Sequence, residues 1–120
     1  MHHIVIIAVL ISAAFASSGA QAHAMLERAD PLVGSTVRTP PRQILLWFTE
    51  ELEPAFSRIE VRDASGARVD GGKAQVDRSN KSLLRVSLRA LSAGTYKVFW
   101  RVLSVDSHIT EGSFSFRVGN

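Results

Sequence analysis

Two histidines and one aspartate carry the metal-binding potential of this sequence. His108 lies two residues beyond Asp106 in the run Ser104-Val105-Asp106-Ser107-His108. In extended chain, positions i and i+2 point to the same side, so a carboxylate oxygen and an imidazole nitrogen can be offered together. His23 follows Ala20-Gln21-Ala22. A cut after Ala22 makes His23 the first residue, and its α-amine and Nδ1 can then close a chelate ring on one ion. The amine ordinarily titrates near about 7.7–8.0 and imidazole near about 6.5, so both shed their protons readily at neutral pH. With Asp106 and His108 added, the donor set is rich in nitrogen with one carboxylate. Tetragonal N/O coordination suits Cu(II), which the Irving–Williams order also favours, while zinc accepts similar ligands. The same spacing fits a surface histidine and an incidental Asp-x-His that hold no metal.

Other residue types narrow the chemistry. There is no cysteine, which excludes a disulfide framework and a Cys-based zinc site. After residue 22 the sole methionine is Met25, too few for a Cu(I) site built from Met or Cys clusters. Glu50 continues the face of Leu46 and Phe48. A carboxylate aligned with buried positions needs a partner, because a lone buried charge is costly. It can support a metal ligand from behind, or simply turn into solvent with Glu51 and Glu53. The basic residues are interleaved with acidic ones and show no aromatic alternation, which argues against a nucleic-acid surface.

These residues need a scaffold, and the chain supplies a small one. It has 120 residues, 46% of them hydrophobic, with a net charge of +3. That is one domain at most and not a disordered chain. Residues 1–22 read as a secretory signal peptide: the apolar stretch Ile4 to Ala16 is followed by the small-x-small site Ala20-Gln21-Ala22. The stretch is short of the roughly 20 residues a membrane span needs, so an uncleaved anchor is the lesser reading. The n-region lacks Lys and Arg. Two other cuts are readable: after Ala20, leaving Gln21 first, and after Ala24, removing His23. No later stretch is apolar enough to span a bilayer. Residues 23–120 are expected to form one exported, soluble domain.

The exported part reads as strands. Ile59 and Val61 alternate with charged residues; so do Leu84, Val86 and Leu88, and Phe114, Phe116 and Val118 alternate with Ser and Arg. Tyr96, Val98, Trp100 and Val102 share one face of a long strand that is partly apolar on both sides, the mark of a central position. Ile44 to Phe48 is a further buried strand. Asp63-Ala64-Ser65-Gly66 would join two strands as a hairpin, and Gly71-Gly72, Ser79-Asn80 and Ala93-Gly94 mark other turns. About seven short strands at this spacing predict an all-β fold, an antiparallel Greek-key β-sandwich, with a small closed barrel as the alternative.

His23-Ala24-Met25-Leu26, Leu46-Trp47-Phe48-Thr49-Glu50, the stretch Ala93-Gly94-Thr95-Tyr96-Lys97-Val98-Phe99-Trp100-Arg101 and the Asp106-Ser107-His108 that follows resemble the CopC copper resistance proteins. The resemblance runs in order along residues 23–120. It implies a cupredoxin-like or immunoglobulin-like sandwich that binds one Cu(II) per chain in the periplasm, without enzymatic turnover. By the same resemblance the ligands are His23, Asp106 and His108, with Glu50 as a neighbour behind them. An inner-membrane copper transporter of the CopD type is the implied partner. Two departures stand out. The Met-rich loop of some members is replaced by Glu53 to Gly72 without Met or His, which implies a Cu(II)-only type, and Ile109 follows His108 where the family usually has proline. Two rival readings are a copper oxygenase with a histidine brace and an immunoglobulin-like assembly module whose histidines are incidental.

Overall fold

Alternation of apolar and polar side chains folds residues 23–120, the part that the computed structural model describes, into two four-stranded sheets packed face to face. In chain order the strands are β1 (Leu26–Asp30), β2 (Thr36–Val37), β3 (Gln43–Phe48), β4 (Arg58–Arg62), β5 (Gln75–Val76), β6 (Leu83–Ser87), β7 (Gly94–Leu103) and β8 (Ile109–Val118). A single 3-10 turn, Pro54–Phe56, lies between β3 and β4. One sheet has the order β1-β3-β6-β5 and the other β2-β8-β7-β4. The chain therefore changes sheet at every connection except β5–β6 and β7–β8. The expected signal peptide lies outside the described residues.

The period-2 pattern explains what is buried. Ile44, Leu46 and Phe48 of β3, Leu84 and Val86 of β6, and Ile59 and Val61 of β4 point inward. They meet Tyr96, Val98 and Val102 of β7 and Phe114, Phe116 and Val118 of β8. Tyr96 stacks on Phe116 at 5.5 Å between ring centroids, and Phe48 meets Trp100 edge-on at 5.2 Å. Such aromatic pairs add about 0.5–1.5 kcal/mol beyond their buried area. β7 is an interior strand, as its two-sided apolar character predicts. Trp100 lies directly opposite Gly112 of β8, where a Cβ would come within 2.6 Å of the indole.

Two expectations need correction. The sandwich is not wholly antiparallel: β2 runs parallel to β8, with Thr36 opposite Arg117 and Val37 opposite Val118. With two residues each, β2 and β5 are too short to show a period; with them the strands number eight, in keeping with the expected seven or so. The turn at Asp63–Gly66 forms, with the Asp63 carboxylate accepting hydrogen bonds from the amides of Ser65 and Ala67. Its return arm, however, makes only single bridges, Arg62 to Arg68 and Asp70 to Leu88. The buried Asp70 carboxylate takes over part of the pairing by accepting the Val61 amide at 2.9 Å and both ends of the Arg68 guanidinium.

Candidate metal centre

Three backbone segments converge at one end of the sandwich: the tip ahead of β1, the stretch after β3, and the loop joining β7 to β8. The loop is short and internally closed. The Ser104 amide donates to the His108 carbonyl, and the Ser107 amide to the Ser104 carbonyl, both at 2.9 Å. Ser107 adopts a left-handed φ of 75°, uncommon for a residue with a side chain, which lets the chain reverse within so few residues. Asp106 and His108 are thus presented by a tight turn and not by the extended chain that i, i+2 spacing suggests. The turn still brings them together, with Asp106 Oδ1 3.4 Å from His108 Nδ1.

Ser104 is the floor of this loop. It is fully buried, and its hydroxyl donates a short hydrogen bond to Asp106 Oδ1 while accepting one from the His108 amide at 3.3 Å. That hydroxyl holds the Asp106 carboxyl below the usual carboxylate range; partial desolvation opposes it, and His108 assists. Asp106 is therefore an anion at neutral pH, which is the protonation state a metal ligand requires. A neutral imidazole that turns Nδ1–H toward Asp106 keeps the Nε2 lone pair available.

The tip is tied down at its backbone. Thr49, just beyond β3, donates its hydroxyl proton to the His23 carbonyl at 3.3 Å and accepts the Met25 amide at 2.9 Å. The Thr49 amide in turn donates to the Met25 carbonyl. From the other sheet, the Thr110 hydroxyl donates to the Ala24 carbonyl at 2.7 Å, and Ala24 itself is fully buried. The stretch after β3 is laced to the loop as well: the Val105 amide donates to the Glu51 carbonyl, and the Glu53 amide to the Leu103 carbonyl.

This lacing sets the His23 ring against the His108 ring, with centroids 4.6 Å apart and planes tilted by 60°. Of the four residues singled out in the sequence, His23, Asp106 and His108 form a chain of neighbours through His108. Among the described residues no three of His, Cys, Asp or Glu converge as a finished cation site. Glu50 is half-buried beside Thr49 and makes no hydrogen bond or ion pair among the described residues. Its backbone stands next to the tip, but its carboxylate is not seen to touch either histidine. Thr49, Thr110 and Ser104 are the positioning residues that sequence reasoning missed. A hydroxyl carries no distinctive spacing of its own, so Thr49 and Ser104 pass unremarked within motifs that are otherwise readable.

Comparison with known proteins places this geometry. The CopC domain family model matches residues 26–119. The chain is 36% identical over 116 residues to copper resistance protein C of Xanthomonas campestris pv. juglandis, covering 92% of this chain and 91% of that one. It is 30% identical over 99 residues to the copper transport protein CutJ of Bacillus subtilis, a match spanning 82% of this chain and 18% of that longer protein. The crystal structure of CopC from Methylosinus trichosporium OB3b superposes with a TM-score of 0.76 at 34% identity, covering 81% of this chain and 94% of that one. A matching sandwich, matched over nearly its whole length by copper resistance relatives, means that the chain belongs to the CopC family.

Proposed function

We propose that this protein binds one Cu(II) ion in the periplasm and holds it without turnover, for sequestration or for delivery to an inner-membrane copper transporter of the CopD type. The observation that carries this reading is the placement of the His23 ring 4.6 Å from the His108 ring, at opposite ends of the sequence, with Asp106 adjoining. The donor set fits the ion. Two imidazoles and a carboxylate held anionic suit a borderline cation, and no thiol is present for Cu(I).

The set becomes complete on processing. While Ala22 remains attached, the nitrogen of His23 is an amide and a poor donor. Removal of residues 1–22 converts it to an α-amine beside its own imidazole. Thr49 and Thr110 bond the backbone carbonyls of His23 and Ala24, so the tip is held through its carbonyls. His23 and His108 then supply nitrogen, Asp106 supplies oxygen, and Glu50 stands behind them as a source of hydrogen bonding to bound water. Delivery is supported by the copper transport protein of which a CopC-like segment forms a part.

Titration of the processed protein with Cu(II), followed by electron paramagnetic resonance, tests this. The expected result is a one-to-one type-2 signal with coupling to several nitrogens, lost in His108→Ala and in His23→Ala. A copper signal unchanged in both variants overturns the site. Ascorbate-driven oxidation of a polysaccharide by the copper-loaded protein would overturn the absence of turnover.

A further inference from the structure

The end of the sandwich that carries the histidines is also where apolar side chains are left uncovered. Seven large apolar side chains are exposed among the described residues, and four of them, Met25, Phe56, Val105 and Ile109, lie at this end. Phe56 (67% exposed) and Ile109 (53% exposed) line a groove of about 230 Å³ together with Leu103, Arg58 and Arg101. Leu103 and Ile109 are paired across the two strands, and the Ser104–His108 loop joins them. The groove therefore abuts the segment that bears Asp106 and His108.

Its charge is unbalanced in a specific way. Arg58 of β4 sits directly opposite Arg101 of β7 in the antiparallel register, a like-charge pairing that disfavours the sheet. Arg101 is compensated by Glu111 at 3.1 Å. Arg58 has no ion pair among the described residues. The next carboxylate on its own strand face, Glu60, is already bonded to Arg62 at 2.6 Å and lies 3.5 Å from Arg68. A small groove with apolar side chains and an uncompensated guanidinium in its lining matches an apolar residue flanked by carboxylates.

We infer that this groove docks an acidic segment of a partner protein, seating one apolar side chain against Phe56, Leu103 and Ile109 and a carboxylate on Arg58, so that the partner abuts the Asp106–His108 loop. A contact between copies centred on this groove would bring Arg58 near a second Arg58, whereas a carboxylate-bearing partner supplies the missing counter-charge. The inference rests on the copper reading for what the partner would collect, while the groove stands on its own geometry.

The test titrates the ¹⁵N-labelled protein with acetyl-Glu-Phe-Glu-amide and with acetyl-Lys-Phe-Lys-amide, following amide shifts. The acidic peptide should move Phe56, Arg58, Leu103 and Ile109, and binding should weaken roughly tenfold with the lysine peptide or in Arg58→Glu, where like charges meet. Phe56→Ser should weaken it without altering the charge dependence. Equal response to both peptides, or shifts confined elsewhere, overturns the inference. So do peptide-free, concentration-dependent shifts at these residues, which would assign the groove to self-association. Arg58-dependent binding to phosphatidylglycerol vesicles without a peptide response overturns it in favour of a membrane. A Cu(II) titration of Arg58→Glu runs alongside. A silent groove on a copper-binding protein sinks this inference alone, and peptide binding without copper uptake sinks the copper reading alone.

Discussion

Single hydroxyls and carboxylates set the geometry at the histidine end. Thr49 spans the His23 carbonyl and the Met25 amide, so Thr49→Val removes two restraints on the tip at once. The loss should cost about 1–2 kcal/mol of stability by thermal unfolding and roughly 10- to 100-fold in Cu(II) affinity, the usual consequence of loosening a ligand's support. Asp70 is the contrasting case, a carboxylate with a purely structural task. Burial tends to raise its pKa, but the Arg68 hydrogen bonds and the Val61 amide outweigh burial and lower it. A carboxyl depressed on folding contributes stability that is present above its unfolded value, near 3.8, and is lost as pH falls through its folded value. Urea unfolding should accordingly show Asp70→Asn destabilised by about 1–3 kcal/mol at neutral pH, with the gap to the parent closing below pH 3.8. At this scale His23, Asp106 and His108 stand out in the sequence as candidate ligands because they carry nitrogen and oxygen donors. Their orientation is not legible, because it depends on Ser104 and on the left-handed Ser107, neither of which has a type or spacing that demands the role.

At the scale of strands, pattern predicts what is long and misses what is short. β3, β4, β6 and β7 stand within two residues of where alternation predicts them. β8 begins earlier than its apolar residues suggest, because Ile109 to Ser113 pairs with β7 while burying few side chains. The parallel β2–β8 contact is invisible to alternation, since two residues have no period. Gly112 belongs here too. Its lack of a side chain makes room for the Trp100 ring, which in turn abuts Phe48. Gly112→Ala should displace the indole and lower stability by about 1–3 kcal/mol, seen as a fall in melting temperature with a change in tryptophan fluorescence. An unchanged melting temperature would mean that the ring has room to move.

For the whole molecule, the main consequence is that both ends of a long sequence separation must be right simultaneously. The CopC sandwich places residue 23 beside residue 108, and no local property of either segment predicts that adjacency. It became readable through resemblance along the full length of the domain. Retaining even one residue ahead of His23 keeps its nitrogen as an amide, so a single glycine added there should weaken Cu(II) binding about as much as His23→Ala, measured by competition titration. Affinity should also fall in acid, as protons compete for the amine and both imidazoles. An extended protein that binds copper as tightly as the processed one would show that the α-amine takes no part.

The first strand lies at the rim of its sheet, hydrogen-bonded to β3 alone. Such a border strand can detach while the remaining seven stay assembled, at a cost below that of global unfolding. Unzipping it, together with the Thr49 and Thr110 bonds that hold the tip, would withdraw His23 from His108 and weaken the grip on any ion between them. Release need not wait for the fold to melt, and a captured ion would in return rivet the strand shut. Amide hydrogens of Leu26–Asp30 should then exchange more slowly with deuterium when copper is bound, while those of β7 hardly change.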